Sequence, residues 1–213
     1  MQKDIEIIDK NYDKCLIFCH GLGDNGSSFY FLANEVKKKI KNIKIILPNA
    51  KINKVTANKN KEMPSWFDIN EIPIKNSQFN YKLEYSINYI HNIIDYEISN
   101  GIKSTNIILA GFSQGASLAL ATGFKYCKKL GGIGIFSGWI SSINRNYNFV
   151  NIPIFISHGD KDDIVLYCNY LNLINEFKKL NVNNLTLKSY KNMNHSISYR
   201  SINDFIDWLC LIF

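Results

Sequence analysis

The stretch that decides the fold is Asn106-Ile107-Ile108-Leu109-Ala110-Gly111-Phe112-Ser113-Gln114-Gly115. It joins an apolar strand, predicted over 106–110, to a helix rich in small residues, predicted over 114–126. The G-x-S-x-G pattern occurs only here in the chain. A serine at a sharp strand-to-helix turn needs small residues two positions away on either side, because larger side chains would clash. The stretch therefore predicts a nucleophile elbow, with Ser113 as the candidate nucleophile.

Outside this stretch, apolar runs of strand length alternate with longer helix-like segments. Such alternation favours an α/β fold with a mostly parallel central sheet flanked by helices. No repeat and no Gly/Ser-rich linker interrupts the pattern, so we predict one domain over residues 1–213. The remaining predicted strands are Ile5–Ile8, Cys15–Cys19, Ile43–Leu47, Ile133–Phe136, Ile152–Ser157 and Leu185–Tyr190. The remaining predicted helices are Ser27–Lys41, Tyr81–Ser99, Val165–Leu180 and Tyr199–Leu211.

Residues 48–77 break this alternation. They show no clear periodicity and contain Pro64 and Pro73. A loop of this length inside a compact domain is usually functional. The pair Trp66-Phe67 is also unusual for a segment that only meets water. We therefore predict a long loop near the active site.

A second glycine-rich segment, Gly21-Leu22-Gly23-Asp24-Asn25-Gly26, follows a predicted strand and opens a helix. It matches a dinucleotide-binding pattern, but that reading needs an acidic residue about 20 positions later, and 41–51 contains none. A phosphate-binding loop would need Lys where Ser27 stands. His20 before the first glycine favours the oxyanion loop of an α/β-hydrolase. A purely structural turn is the remaining alternative.

A catalytic serine needs a base and an acid. Of the 4 histidines, His195 lies in a polar loop between the last predicted strand and helix, where the chain order Ser, acid, His places the base. His20 and His158 each precede a glycine at a strand end, which is more typical of structural hydrogen bonding, and His91 lies mid-helix. The acid should follow the strand between nucleophile and base. The candidates there are Asp160, Asp162 and Asp163.

Taken together, these motifs resemble those of the acyl-protein thioesterase and lysophospholipase-like carboxylesterases, which are small serine hydrolases. The resemblance runs from about Cys15 to the C-terminus. Its motifs are His20-Gly21-Leu22-Gly23-Asp24, Met63-Pro64-Ser65-Trp66-Phe67-Asp68, Gly111-Phe112-Ser113-Gln114-Gly115, His158-Gly159-Asp160-x-Asp162 and Met193-x-His195-Ser196.

The resemblance implies roles for individual residues. It selects Asp162 as the acid, because Val165 follows at the spacing that the family uses. It implies that the backbone N–H groups of Leu22 and Gln114 bind the oxyanion. The loop of Trp66 resembles the part of that family that lines the acyl groove. Trp66 and Trp139 are candidate substrate-binding residues, with core packing as the alternative.

Two departures from the family's pattern stand near the proposed site. Ala116 replaces a common second glycine after the elbow, which alters the packing of helix on strand. Asp163 replaces a residue that is often proline and puts a like charge beside the proposed acid. Neither change removes a catalytic group.

The charge balance bears on partners. The chain of 213 residues carries 25 Lys and Arg against 18 Asp and Glu, a formal net charge of +7. Only Arg145 and Arg200 are arginines, which argues against nucleic acid as a partner, since nucleic-acid readers rely on bidentate arginine contacts. A general bias of the sequence toward Lys, Asn and Ile is one explanation of the excess positive charge. Transient contact with an anionic membrane surface is the more specific alternative.

The 5 cysteines form no C-x-x-C pair, which argues against a disulfide framework and a zinc site. They fit a reducing, cytoplasmic compartment. No signal peptide, lipidation motif or membrane-spanning run is visible. We expect a cofactor-free and metal-free hydrolase that removes fatty acyl groups from S-acylated proteins or cleaves lipid esters. A small-ester carboxylesterase or lysophospholipase is the alternative, and a non-catalytic membrane-binding module is a distant one.

Overall fold

The computed structural model describes residues 3–74, 82–140 and 151–213. Its strands are β1 (Ile5–Ile8), β2 (Lys14–Cys19), β3 (Ile43–Leu47), β4 (Ile52–Val55), β5 (Lys61–Pro64), β6 (Ile107–Phe112), β7 (Gly132–Phe136), β8 (Ile154–Gly159) and β9 (Leu185–Tyr190). Its helices are α1 (Tyr30–Lys39), α2 (Lys82–Ser99), α3 (Gln114–Lys125), α4 (Tyr167–Lys179) and α5 (Tyr199–Ile212).

The central feature is a 7-stranded sheet with the order β1-β3-β2-β6-β7-β8-β9. Only β1, at one edge, runs antiparallel to its neighbour; the other pairs are parallel. The carboxyl ends of β2, β6, β8 and β9 therefore meet at the same edge of the sheet, where open α/β sheets bind their ligands. The predicted fold class is confirmed.

Helices cover both faces of this sheet. Leu16 and Phe18 of β2 pack with α1 and α5 on one face, whereas Cys15, Ile17 and Cys19 pack with α2 and α3 on the other. Helix α4 packs with α3 against β7 and β8. Because both faces are covered, β2, β6, β7 and β8 are almost continuously buried, which explains their unbroken apolar sequences.

The prediction of a long loop over 48–77 is wrong for residues 52–64, which form a two-stranded antiparallel hairpin of β4 and β5. The hairpin rests on the segment that follows it. The Asp68 carboxylate accepts hydrogen bonds from the Thr56 N–H at 2.8 Å and the Thr56 hydroxyl at 2.7 Å. The Ala57 N–H donates to the Ile69 carbonyl at 2.9 Å. Residues 75–77, and Tyr81 of a predicted helix, lie outside the described residues.

Other predicted boundaries differ by a few residues. The first predicted helix opens with a 3₁₀ turn over Gly26–Phe29, capped by the Asn25 side chain, and α1 follows it directly. Helix α4 begins at Tyr167 rather than Val165, because the residues between belong to a turn organised by Asp162. Within the described residues, no helix combines the length and the apolar character needed to cross a membrane.

Candidate active site

Ser113 occupies the turn between β6 and α3. Its backbone has φ 55° and ψ −120°, a combination that non-glycine residues rarely adopt, and its N–H donates to the Phe136 carbonyl of β7 at 2.8 Å. The residue is 7% exposed. The strained turn lifts the hydroxyl out of the sheet edge at the N-terminus of α3, which is the geometry of a nucleophile elbow.

The glycines of the elbow are required by close backbone contacts. A Cβ at Gly111 would lie 2.5 Å from the Gly115 carbonyl, and one at Gly115 would collide with the carbonyl oxygens of Cys19 and His20 at the end of β2. The methyl of Ala116, the departure noted above, is accommodated because Gly138 lacks a side chain; a Cβ there would lie 2.8 Å from it. The elbow therefore keeps its close packing.

His195 reaches Ser113 from the loop after β9. Its Nε2 lies 2.9 Å from the Ser113 hydroxyl oxygen, and its Nδ1 lies 2.7 Å from Oδ2 of Asp162. Since an ionised carboxylate can only accept, Nδ1 carries the proton and the Nε2 lone pair faces the serine hydroxyl. This arrangement can withdraw the hydroxyl proton as Ser113 attacks a carbonyl carbon.

The structure brings Asp162, and not Asp163, to the histidine. Asp162 is buried, and its Oδ1 accepts hydrogen bonds from the N–H groups of Ile164 at 3.0 Å and Val165 at 2.8 Å. Asp163 is exposed to solvent. Among the three candidate carboxylates of this turn, Asp162 is the one in contact with His195.

The pKa of Asp162 is lowered from its ordinary value. Burial alone would raise it, but hydrogen bonds from His158 and His195 outweigh burial. A carboxyl that binds its proton more weakly in the folded than in the unfolded state stabilises the fold at pH values above about 4. That contribution is lost as the pH falls toward the folded-state pKa.

Asp160, which like Asp163 makes no contact with His195, joins the loops that carry Asp162 and His195. Its Oδ1 accepts the Asn192 N–H at 2.6 Å, and its own N–H donates to the Tyr190 carbonyl at 3.0 Å. The Lys161 N–H also donates to the Met193 carbonyl at 3.1 Å. These bonds fix the spacing between Asp162 and His195, a role that sequence pattern alone did not indicate.

Leu22 and Gln114, the predicted oxyanion donors, lie in two segments that adjoin Ser113. Gly21 follows β2 and packs against the elbow, since a Cβ on it would lie 3.5 Å from Cβ of Ser113. Leu22 follows directly, in a loop that the Gly23 N–H anchors to the Pro64 carbonyl at 2.8 Å. Gln114 is the first residue of α3, where a backbone N–H has no partner within the helix. Their oxyanion role stays a prediction.

The Gln114 side chain has a second function that the sequence did not reveal. It is buried, and its Oε1 accepts the Trp66 N–H at 3.0 Å. Its Nε2 donates to the Phe67 carbonyl at 2.7 Å and lies 3.2 Å from the Ser65 hydroxyl. The residue after the nucleophile therefore ties the Ser65–Phe67 segment to the elbow. No local signal in the sequence distinguishes such a glutamine from any other.

Trp66 and Trp139, the predicted substrate-binding residues, are each only 2% exposed. Trp66 donates its indole N–H to the His20 carbonyl at 2.8 Å, and it lines a cavity of about 240 Å³ with Tyr85 and Tyr89 of α2. Ser113 does not line that cavity. The structure gives both indoles a packing role, and contact with substrate stays a prediction.

The remaining histidines make structural bonds. His20 donates from Nδ1 to the Gly21 carbonyl at 2.7 Å, and its Nε2 accepts the Ala50 N–H at 3.1 Å. Burial lowers its pKa, which keeps it neutral. His91 contacts the Thr122 carbonyl at 3.1 Å. Across the described residues, no group of at least 3 His, Cys, Asp or Glu side chains is arranged to hold a metal ion.

Comparison with known proteins identifies the family. The phospholipase/carboxylesterase family model matches residues 2–212. Acyl-protein thioesterase 1 of Saccharomyces cerevisiae is 38% identical over 192 residues, covering 85% of each chain. Acyl-protein thioesterase 1 of Yarrowia lipolytica is 34% identical, covering 91% of this chain and 89% of its own.

A solved structure agrees with these relatives. The crystal structure of Arabidopsis thaliana SOBER1 superposes with a TM-score of 0.87 at 30% identity, covering 93% of this chain and 98% of that one. The chain therefore belongs to the phospholipase/carboxylesterase family, and the resemblance read from its motifs is confirmed.

The acid assignment can be tested because two adjacent carboxylates differ in environment. Asp162→Asn should lower kcat by about 10⁴-fold, because an amide cannot hold the imidazole in the required tautomer. The matched change Asp163→Asn removes an exposed charge and should alter kcat little. Steady-state hydrolysis of a chromogenic ester by both purified variants measures this. A larger loss from Asp163→Asn would reverse the assignment.

Proposed function

We propose that this member of the phospholipase/carboxylesterase family is a serine hydrolase that removes fatty acyl groups from S-acylated proteins. The observation that carries the proposal is a chain of hydrogen bonds that runs from Ser113, at a strained elbow, through His195 to Asp162. Relatives named acyl-protein thioesterase 1, at 32% to 38% identity, support a thioester substrate.

The chemistry is acyl transfer in two steps. Ser113 attacks the carbonyl carbon of the thioester while His195 takes the hydroxyl proton, and the thiol leaves with that proton. Water then attacks the acyl-enzyme, with His195 again as base, and the fatty acid is released. The N–H groups of Leu22 and Gln114 stabilise the oxyanion of each step by about 3 kcal/mol per donor.

A second candidate uses the same three side chains on a different ester. A small-ester carboxylesterase or a lysophospholipase is supported by relatives named carboxylesterase, including SOBER1 of Arabidopsis thaliana at 32% identity. A non-catalytic binding module is disfavoured, because such a protein has no need of a serine, a histidine and a buried carboxylate in hydrogen-bond contact.

We also propose that the β4–β5 hairpin contacts anionic membranes, where S-acylated proteins reside. Lys51, Lys54, Lys59 and Lys61 are exposed there and have no ion-pair partner in the described parts of the chain, and Ile52 is 69% exposed. The hairpin ends at Pro64, whose carbonyl accepts a hydrogen bond from the proposed oxyanion loop.

A cytoplasmic location is part of the same proposal, since all five cysteines are free thiols.

The nucleophile is tested by covalent labelling. A fluorophosphonate probe should modify the wild-type protein once, at Ser113, because in the described parts of the chain this is the hydroxyl that has a histidine within hydrogen-bond distance at a strained turn. Intact mass and peptide mapping locate the adduct. Ser113→Ala should abolish the labelling, with Ser117→Ala as the control on a buried serine of helix α3. Labelling that persists without the Ser113 hydroxyl would remove the proposed nucleophile.

Substrate class is tested with matched acyl thioesters and oxyesters of increasing chain length. Each methylene buried in an acyl site contributes about 0.8 kcal/mol, so four further carbons should raise kcat/KM by roughly two orders of magnitude before ordering costs. We expect kcat/KM to rise from short to long chains on thioesters. A preference for acetyl oxyesters would favour the small-ester carboxylesterase instead.

The membrane contact is tested by sedimentation with phosphatidylserine-containing vesicles. The variant Lys54→Glu/Lys59→Glu/Lys61→Glu should lose binding, since each lysine near an anionic surface contributes about 1 kcal/mol. The control Lys128→Glu/Lys129→Glu/Lys178→Glu makes the same charge change at other exposed positions and should retain binding. Equal losses in both variants would show that net charge, and not the hairpin, drives the contact.

A further inference from the structure

His158 is a buried histidine that the proposed mechanism does not use. It lies near the end of β8, next to the turn that carries Asp162, and is 1% exposed. Its Nε2 lies 2.7 Å from the Val165 carbonyl oxygen and 3.3 Å from Oδ2 of Asp162. Both neighbours are acceptors, so Nε2 must carry a proton and donate it.

These contacts connect His158 to the acid in two ways, through hydrogen bonds by way of Val165 and through a direct contact with the carboxylate. His158 donates to the Val165 carbonyl, and the Val165 N–H donates to Oδ1 of Asp162 at 2.8 Å. The second oxygen of Asp162 then lies between two imidazoles, with His195 Nδ1 at 2.7 Å and His158 Nε2 at 3.3 Å. The carboxylate cannot rotate toward either imidazole without weakening the other bonds.

Within the described parts of the chain, the ion-pair partner of His158 is Asp162. Tyr167 and Tyr170 of α4 face its ring at centroid distances of 6.0 Å and 5.9 Å. Burial raises the pKa of Tyr170 to about 12, so that phenol stays neutral. On the adjacent strand β9, the residue in register with His158 is Ser189. Asp162 is therefore the charged group that His158 meets.

We propose that His158 is a positioning residue that holds the Asp162 carboxylate in the orientation required by His195. The inference rests on the proposed function, because it assigns Asp162 the role of catalytic acid. It is supported by the lowered pKa of Asp162: burial opposes ionisation there, and the bond from His158 is foremost among the effects that overcome it.

Two amide variants separate these roles. In His158→Gln, the side-chain N–H can reach the position of Nε2, whereas in His158→Asn the same amide is one methylene shorter and cannot. We expect His158→Asn to lower kcat by about 10- to 100-fold, the range seen when a group that orients a metal-binding side chain is removed. His158→Gln should retain most of kcat, and KM should change little in either variant.

The pH–rate profile provides a readout that packing alone would not move. A carboxylate with one donor fewer is a stronger acceptor for protonated His195. The acid limb of the kcat/KM profile should therefore shift to higher pH in His158→Asn and return toward the wild-type position in His158→Gln. Thermal unfolding of both variants verifies that they are folded under the assay conditions.

A double-variant cycle with Asp162→Asn supplies a measurement that does not depend on rescue. If His158 acts through the carboxylate, His158→Asn should cost far less in kcat once Asp162 is already Asn. Equal losses in both backgrounds, or folded His158→Asn with wild-type kcat and an unmoved acid limb, would overturn the inference. An inactive wild-type enzyme with an unlabelled Ser113 would instead refute the proposed function, so the two failures are distinguishable.

Discussion

The close approach of α3 to the end of β2 is the constraint on which the site depends. No side chain fits at Gly115, because the carbonyl oxygens of Cys19 and His20 occupy the space where its Cβ would be. This contact brings the start of α3 beside the loop that begins at Gly21. Ser113 has its strained backbone conformation between α3 and that loop. Gly115 thereby fixes the distance between Ser113 and the loop that begins at Gly21. The order of the strands brings the loops of Asp162 and His195 to the same edge of the sheet.

A buried carboxylate is the second demand that shapes this edge of the sheet. Asp162 is ionised in a place that burial makes unfavourable, so its oxygens need donors from several directions. The Ile164 and Val165 N–H groups come from its own turn, and His195 comes from the loop after β9. His158 completes the set from β8. Because these donors belong to separate elements, the Asp162 carboxylate connects β8, its own turn and the loop after β9, in addition to contacting His195.

The sequence predicted those parts of the molecule whose requirements are local. The elbow could be recognised because its glycines are needed within a few residues of Ser113, and the strands because both of their faces are apolar. The hairpin over 52–64 was missed because its short strands show no apolar alternation, and because its connection is held by Asp68, beyond the hairpin itself. The contacts of the Gln114 side chain reach a segment 47 to 49 positions away, so its neighbours in the sequence do not mark it. His158 meets Asp162 and Val165 within 7 positions, but that contact depends on the folded turn and not on a sequence pattern. The packing of Trp66 and Trp139 is likewise a property of the folded core.

Gln114 connects the proposed oxyanion site to the Ser65–Phe67 segment. Its backbone N–H lies at the start of α3, where it can receive a developing oxyanion, and its amide side chain holds both the Trp66 N–H and the Phe67 carbonyl. Any displacement of the Ser65–Phe67 segment therefore strains a residue adjacent to the nucleophile. The next residue, Asp68, supports the β4–β5 hairpin, and the hairpin in turn anchors the loop of Leu22 through Pro64. Both residues whose N–H groups are proposed as oxyanion donors are therefore tied by hydrogen bonds to the same support: Gln114 to the Ser65–Phe67 segment, and the loop of Leu22 to the end of the hairpin.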